Sequence, residues 1–429
     1  MNNVYYIDKT LSRTSRVTKK TRYIILTAFA FSLILFGLVM DSPKNILPGI
    51  QRIIVEPDIL ITDYISVGGI GAAFVNSGLT TLAFLIILYR LRLELYGTAI
   101  TALFLISGFS FFGKNIFNIW FIVLGVYLYA RFQRESFTRY IYTALFGTAL
   151  APLVTELMFN IPQPLSIRLP LAIINGLAMG FVLPPMATFA LRVHQGYNLY
   201  NIGFTAGLVG TAFMSTFRSL GLAAGTRMVW STEYTSILSV FLFTIFLSII
   251  IIGYILNGKS FKGIPSIMKY SGRMVTDFVQ IIGFAPSLIN MGVCGIISTL
   301  FVLLVKGDIN GPVLAGIFSV VGFATFGKHP KNIVPIFLGI FVGSMISIWR
   351  INDPNILLAA LFGTTLAPIA GEYGWKVGMI AGFLHSSVVL NISTLHGGIN
   401  LYNNGFSGGL VAAFLVPIID AFRRKDEVE

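Results

Sequence analysis

Hydrophobic positions along this chain form runs too long for a soluble core, separated by short polar stretches. About 20 apolar residues in a helix cross the roughly 30 Å of a bilayer interior, and shorter runs need tilt or burial. The pattern predicts helical segments near residues 23–40, 64–88, 97–112, 116–130, 140–159, 169–191, 198–217, 234–256, 283–305, 311–326, 333–349, 356–374, 376–390 and 400–422. We therefore predict an all-α polytopic membrane protein with about 14 apolar segments.

Two stretches of the chain occur twice. HQGYNLYNIGFTAGLV at residues 194–209 and HGGINLYNNGFSGGLV at residues 396–411 are identical at 11 of 16 positions. ALFGTALAPLVTE, which ends at Glu156, matches ALFGTTLAPIAGE, which ends at Glu372. Because the matches keep the same order along the chain, they predict two related halves of the kind found in transporters.

The charges predict how the two halves insert. Lys and Arg lie mainly in short loops, and the positive-inside rule then places both termini in the cytoplasm of a multi-pass plasma-membrane protein. A single helix between two halves of six segments starts the second half on the opposite face, so the repeats are predicted to be inverted. The predicted divisions are a cytoplasmic tail (1–22), a first helix with an interfacial connection (23–63), repeat 1 (64–217), a linker with one helix (218–282), inverted repeat 2 (283–422) and a second cytoplasmic tail (423–429).

Composition supports this class and narrows the chemistry. Hydrophobic residues make up 55% of the chain, charged residues 11%, and the mean hydropathy is +0.82. The net charge of +13 is spread over many loops, which favours orientation in the bilayer over binding to nucleic acid. The single cysteine, Cys294, excludes a disulfide framework, and we predict no metal and no cofactor. No HExxH, GxSxG or P-loop motif occurs, so we predict that the protein is not an enzyme.

A triplet Asn-x-Gly stands in each segment that opens or closes a half. Asn and Gly both tolerate left-handed backbone, so the triplet predicts broken or re-entrant helices whose freed polar groups line a path for solute. The alternative is that Gly allows close helix packing and Asn ties two helices together. The candidate path residues are Asn76, Gly78, Asn201, Gly203, Asn290, Gly292, Asn403 and Gly405, with the neighbouring aromatic residues Tyr200, Tyr402, Phe204 and Phe406.

Ionisable residues also occur as matched pairs. The glutamates are expensive to bury in an apolar span, so they are candidates for binding a proton or an ion, unless they reach interfacial water at a helix end. The histidines could carry protons, although at helix boundaries they more often bond a neighbouring group. The lysines are expected to extend to the interface, and the alternative is that they attract anions to a vestibule. The pairs are Glu156 with Glu372, His194 with His396, and Lys114 with Lys328.

Parts of the chain resemble two known families. FVNSGLTTLAFLI (residues 74–86) followed by GTAITALFLISG (97–108) resembles urea transporters, in which a broken pore segment rich in Asn precedes a Gly-Thr-led helix, and LYNNGFSGGLVA (401–412) is similar to their Tyr-Gly-Phe-Asn-Gly-x-Leu-Val-Gly signature. The second Asn and the Pro of their pore motif are absent at Ser77 and Gly78, and each half here has six segments rather than five. This resemblance implies inverted halves and a homo-oligomer, usually a trimer. The chain also resembles an uncharacterised family of integral membrane proteins found mainly in Firmicutes, which implies no activity.

These patterns together predict a membrane transport protein, a channel or uniporter, that passes a small polar, uncharged solute between inverted repeats. The first alternative is a secondary transporter coupled to protons or sodium through Glu156 and Glu372. An intramembrane enzyme and a non-transporting scaffold are the remaining alternatives. The predicted partners are the lipid bilayer, the solute, and further copies of the chain in a trimer or dimer.

Overall fold

The computed structural model describes residues 17–221 and 227–426. The predicted amino-terminal tail up to residue 16 and residues 427–429 of the second tail lie outside the described residues. Within the described ranges the helices are α1 (Lys19–Met40), α2 (Pro43–Val55), α3 (Tyr64–Gly68), α4 (Ile70–Arg90), α5 (Gly97–Phe109), α6 (Trp120–Phe132), α7 (Ile141–Gly147), α8 (Ala151–Phe159), α9 (Leu165–His194), α10 (Asn201–Ser219), α11 (Thr235–Leu256), α12 (Ile264–Ile267), α13 (Phe278–Ile281), α14 (Phe284–Leu304), α15 (Gly311–Phe323), α16 (Pro330–Ile346), α17 (Pro354–Gly363), α18 (Ala367–Tyr373), α19 (Trp375–Ile392) and α20 (Asn403–Asp426).

Many of these helices suit a bilayer. In the described part of the chain, nine stretches are long and apolar enough to cross a membrane, namely α1, α4, the pair α7 and α8, α9, α11, α14, the pair α17 and α18, α19 and α20. The apolar helices α5, α6, α15 and α16 are shorter, at 10–17 residues. The prediction of an all-helical, multi-pass membrane protein is confirmed at this level, and the count of 14 spans stays a prediction.

The helix α11, which the sequence predicts to be a linker, packs as α1 does. A Cβ atom on Gly78 of α4 would lie 2.8 Å from the carbonyl oxygen of Ala30 in α1. A Cβ atom on Gly292 of α14 would lie 2.6 Å from the carbonyl oxygen of Phe246 in α11. These two glycines therefore allow close helix approach, and α11 packs on α14 as α1 packs on α4.

Two of the predicted helix breaks are absent. Asn76 and Gly78 lie inside the continuous helix α4, and Asn290 and Gly292 lie inside the continuous helix α14. The side chain of Thr80 bonds back to the carbonyl oxygen of Asn76 at 2.7 Å, as a helical threonine does. The prediction of broken helices at these two triplets was wrong, because Asn and Gly are tolerated in a helix interior when their neighbours pack around them.

Interruptions occur elsewhere, at equivalent places in both halves. Single 3₁₀ turns at Thr148–Leu150 and Thr364–Leu366 divide α7 from α8 and α17 from α18. Pro152 and Pro368 follow in the first turn of α8 and α18, where a missing N–H costs nothing. The segments 195–200 and 393–402 are also non-helical, so α10 and α20 begin at Asn201 and Asn403 after an irregular approach.

Two aspartates join the halves reciprocally. Asp63 caps α3 and also accepts a hydrogen bond from the Gly311 N–H, which starts α15 of the other half, at 3.2 Å. Asp277 caps α13 and accepts from the Gly97 N–H, which starts α5, at 3.1 Å. We name the two regions the Asp63 end and the Asp277 end of the molecule.

The first helices of the two halves run between these ends. Lys19, at the start of α1, forms an ion pair with Glu94 at 3.4 Å, three residues before Gly97 at the Asp277 end. Ser231, shortly before α11, donates its N–H to Asp63 at 3.1 Å, so α11 starts at the Asp63 end.

Candidate functional site

The helices α10 and α20 begin in the middle of the protein and cross there. A Cβ atom on Gly203 would lie 3.1 Å from the Cα atom of Gly405, and one on Gly405 would lie 2.9 Å from the Cα atom of Gly203. Glycine is required at both positions because any side chain would push the two backbones apart. The crossing therefore brings the amino-terminal turns of two long helices together.

The segments leading into these helices are tied to the opposite half. Asn198 donates its amide to the Gly405 carbonyl oxygen at 2.9 Å, and Asn400 donates to the Gly203 carbonyl oxygen at 3.3 Å. The Leu199 N–H bonds the carbonyl oxygen of Thr365, in the 3₁₀ turn of the second half, at 3.0 Å. The Leu401 N–H bonds Ala149 in the first-half turn at the same distance.

The four predicted aromatic residues divide into two kinds. The rings of Phe204 and Phe406 lie 6.0 Å apart, and each ring packs on a glycine of the other helix. These phenylalanines hold the crossing together. The rings of Tyr200 and Tyr402 lie 6.2 Å apart, just ahead of the two helices, and both side chains are buried.

Lys114 and Lys328 are fully buried beside these tyrosines. Both are 0% exposed, so the expectation that they extend to the interface was wrong. Lys114 Nζ lies 5.0 Å from the ring centre of Phe109 and 5.2 Å from that of Tyr402. We name these three residues the first cage.

A second cage has the same composition. Lys328 Nζ lies 5.2 Å from the ring centre of Phe323 and 4.6 Å from that of Tyr200. Each cage combines a lysine of one half with a tyrosine of the other. The halves therefore share both cages, and neither half contains a complete one.

The cages differ in their hydrogen bonds. Lys328 Nζ donates to the Tyr200 hydroxyl at 2.8 Å and to the Thr364 hydroxyl at 2.7 Å, and the Tyr200 hydroxyl also bonds Ser319. In the part of the chain that the structure describes, Lys114 Nζ and the Tyr402 hydroxyl have no partner.

Asn76 and Asn290 hold the loops that carry the lysines. The Asn76 amide donates to the carbonyl oxygens of Ser110 at 2.7 Å and Lys114 at 3.0 Å. The Asn290 amide donates to those of Ala324 at 2.7 Å and Lys328 at 2.8 Å. These asparagines position the cages through the backbone of the loops that carry the lysines.

Two cavities lie at the two ends of the molecule, and the smaller one is lined by residues of the cages. The larger, of about 390 Å³, lies beside the Asp63 end and is lined by Leu60, Phe112, Phe362, Leu401 and Asn403 among others. The smaller, of about 160 Å³, lies beside the Asp277 end and is lined by the corresponding residues Met274, Phe326, Phe146, Leu199 and Asn201. Tyr200 and Tyr402 line the smaller cavity too. Equivalent parts of the two halves thus build a cavity on each side of the crossing.

A family described as a protein of unknown function (DUF1576) matches residues 42–219 and 256–421. The chain belongs to the DUF1576 family. No curated protein and no solved structure matches the chain. The two matched blocks run from α2 to α10 and from α12 to α20, so they cover corresponding parts of both halves.

The candidate path residues of this DUF1576 protein do not converge on one cavity. Asn201, Gly203, Tyr200 and Tyr402 line the smaller cavity, and Asn403 lines the larger. Gly405 contacts Gly203 at the crossing. The remaining candidates are Asn76, Gly78, Asn290 and Gly292, which position the cages or pack against α1 and α11.

The two glutamates of the DUF1576 protein are not an equivalent buried pair. Glu156 is 7% exposed, its Oε1 accepts from the Asn160 amide at 2.7 Å, and its Oε2 has no partner among the described residues. Glu372 is exposed. The interpretation that Glu372 sits near water at a helix end therefore agrees with the structure, and Glu156 alone is a buried carboxylate.

The two histidines bond within their own half. His194 Nε2 lies 2.9 Å from Asn201 Oδ1, and His396 Nε2 lies 2.9 Å from Asn403 Oδ1. His194 ends α9 and bonds the first residue of α10, whereas His396 lies in the non-helical segment before α20 and bonds the first residue of that helix. This is the bonding role expected of a boundary histidine.

Asp58 is a buried acid that has no matching acid in the second half, so comparison of the two halves did not identify it. It accepts hydrogen bonds from Tyr64 at 2.7 Å, Asn118 at 3.0 Å and Thr155 at 2.8 Å, and burial raises its pKa to about 7. Gly272 stands at the corresponding position of the second half, so a search for matched pairs passes over it.

Proposed function

We propose that this DUF1576 protein is a membrane transport protein, a channel or uniporter, that passes a small polar solute between the two cavities. The observation that carries the proposal is the pair of corresponding cavities on the two sides of the α10 and α20 crossing. Transport folds place a solute site where two related halves meet and interrupted helices supply polar groups. A non-transporting scaffold would not require a cavity on each side of the crossing.

The contacts at the two ends support inverted repeats as part of this proposal. The helix α1 starts at the Asp277 end, whereas its counterpart α11 starts at the Asp63 end. Corresponding helices that run in opposite directions are what an axis in the membrane plane produces. The cavities then open to opposite faces of the membrane.

The charges support one assignment of the two ends to the two faces of the membrane. Lys19 and Arg92 lie at the Asp277 end, where Lys19 Nζ donates to the Arg92 carbonyl oxygen at 2.7 Å. The positive-inside rule puts this end in the cytoplasm and the larger cavity outside, in the plasma membrane. We also propose that the protein forms a homodimer or a homotrimer.

Side-specific labelling tests the two-cavity arrangement without knowledge of the solute. In a Cys294→Ser background, Asn355→Cys places a thiol in the larger cavity and Thr98→Cys places one in the smaller. A membrane-impermeant maleimide should label the first in intact cells and the second in inside-out vesicles. Cys294→Ser alone is the control. Labelling of both thiols from one face would overturn the proposal.

The coupled alternative now depends on Glu156. Its unpartnered Oε2 could hold a proton or sodium ion, which is the one observation that favours coupling. In proteoliposomes, Glu156→Gln should leave flux down a solute gradient unchanged in a channel and should abolish accumulation in a coupled transporter. The exposed Glu372→Gln is the matched control.

A further inference from the structure

We propose that the first cage binds a small monocarboxylate anion through Lys114 and Tyr402, and that such an anion is the solute. This inference rests on the transport function proposed above and replaces the uncharged solute that the sequence predicts. It comes from the charge, the unpartnered atoms and the aromatic surfaces of the cage.

The centre of the protein holds two buried lysines with no acid to balance their charged form. Lys114 and Lys328 are 0% exposed, and the three ion pairs among residues 17–221 and 227–426 involve neither of them. Ring faces attract an ammonium group less strongly than water solvates it, so two caged lysines remain costly. An anion that enters the cage removes that cost.

Helix polarity adds to the attraction. The amino-terminal ends of α10 and α20, helices of 19 and 24 residues, meet at the crossing beside both cages. No side chain caps α10, whose N-cap residue is Tyr200. Helix amino termini carry partial positive charge and free N–H groups, so the field at the crossing favours an anion.

Two unpartnered polar atoms show where the anion binds. Lys114 Nζ and the Tyr402 hydroxyl are both buried, and both lack a partner in the described chain. Buried donors are nearly always bonded, so two in one cage indicate acceptors that a ligand supplies.

Comparison with the second cage shows which hydrogen-bond partner the first cage lacks. At the spacing of 214 residues that relates Phe109 to Phe323, Leu105 corresponds to Ser319. Ser319 bonds the Tyr200 hydroxyl in the second cage, and a leucine offers Tyr402 no such bond. The sequence therefore gives Tyr402 no counterpart of Ser319, although Thr148 stands at the position of Thr364, which Lys328 bonds.

The shape of the cage selects a carboxylate with a short apolar tail. A carboxylate has two oxygens, which match the ammonium and hydroxyl donors, and charge-assisted bonds are the stronger kind. Next to the donors, the Phe109 ring stacks on Phe362 at 5.4 Å, and Tyr402 lines the smaller cavity together with Phe146 and Phe323. These apolar groups suit an alkyl chain.

Propionate and its neutral isostere propionamide test the inference on the purified full-length protein. Propionate should raise the melting temperature and bind in calorimetry, whereas propionamide should do neither. Tyr402→Phe removes only an unpartnered hydroxyl, so the fold should persist while the propionate Kd rises roughly tenfold or more. Lys114→Met should abolish binding. The exposed Lys331→Met and Tyr89→Phe are controls that should bind as the unmodified protein does.

Several results would overturn the inference. Equal binding of propionate and propionamide, an unchanged Kd in Tyr402→Phe, or stabilisation by chloride but not by propionate would each contradict a carboxylate site. Proteoliposome flux then separates this inference from the proposed function. Flux of urea or glycerol without propionate binding would refute the anion and keep transport, and propionate binding without any flux would refute transport and keep the site.

Discussion

Asn290 shows how one side chain can support a site that it does not line. Its amide bonds the carbonyl oxygen of Ala324, the C-cap of α15, and that of Lys328 in the loop that follows. Helix ends carry such open carbonyl groups, and burying them unpaired is costly. The polar residue inside the span therefore stabilises the loop that presents the lysine.

Replacing this asparagine should destabilise the protein. Asn290→Ala leaves two buried carbonyl oxygens without their donor, at a cost of about 2 kcal/mol or more. The measurement is the melting temperature in detergent, with the exposed Asn391→Ala as control. If the two variants melt alike, the positioning role of Asn290 is refuted.

Asp58 gives the protein a pH-dependent stability. Burial raises its pKa from 3.8 to about 7, so the folded chain binds this proton more tightly than the unfolded chain does. The stability associated with Asp58 is then complete below pH 4 and is lost as the pH rises through 7. We expect the melting temperature to fall by about 3 °C between pH 5 and 8.

The matched variant is Asp58→Asn, which keeps the shape and does not titrate. Its melting temperature should change less over the same pH range, while the exposed Glu233→Gln should behave as the unmodified protein. An identical pH profile for Asp58→Asn would show that another group is responsible.

Residue roles were only partly readable in the sequence. The duplicated Phe-Gly-Lys that ends at Lys114 and Lys328 marks both cages, but the pattern of a lysine after an apolar run is also that of an interfacial lysine. Burial, which depends on contacts between distant segments, decides between the two.

At the scale of elements, the crossing of α10 and α20 depends on two glycines. Gly405→Ala should separate the helices, because its Cβ atom would lie 2.9 Å from the Cα atom of Gly203. Overpacking of this kind costs about 1–3 kcal/mol. Gly210→Ala on α10 is the matched control, since its Cβ atom would meet other atoms at 3.4 Å or more.

Detergent melting temperatures would compare the two variants. A loss confined to Gly405→Ala supports the close crossing. Equal melting temperatures would mean that the two helices do not approach as closely as the structure shows.

The length of the hydrophobic runs predicts the helices, but it does not predict where the helices are interrupted. Asn-x-Gly occurs inside the continuous helices α4 and α14 and also at the starts of α10 and α20. The triplet permits a break but does not require one. The breaks follow instead from tertiary bonds, such as that between Leu199 and Thr365.

At the scale of the whole molecule, the halves are joined by reciprocal bonds. Asp63 and Asn198 of the first half bond Gly311 and Gly405 of the second, and Asp277 and Asn400 bond back to Gly97 and Gly203. A protease site inserted between residues 221 and 227 should therefore yield two fragments that stay together in detergent. Separation on gel filtration after cleavage would contradict this account of the interface.

The reciprocal caps also affect how the chain is made. The N–H that starts α5 is bonded by Asp277, a residue 180 positions later. A ribosome must therefore deliver the chain as far as Asp277 before this helix end is capped. Until then, the first turn of α5 keeps one polar N–H without its partner inside the bilayer.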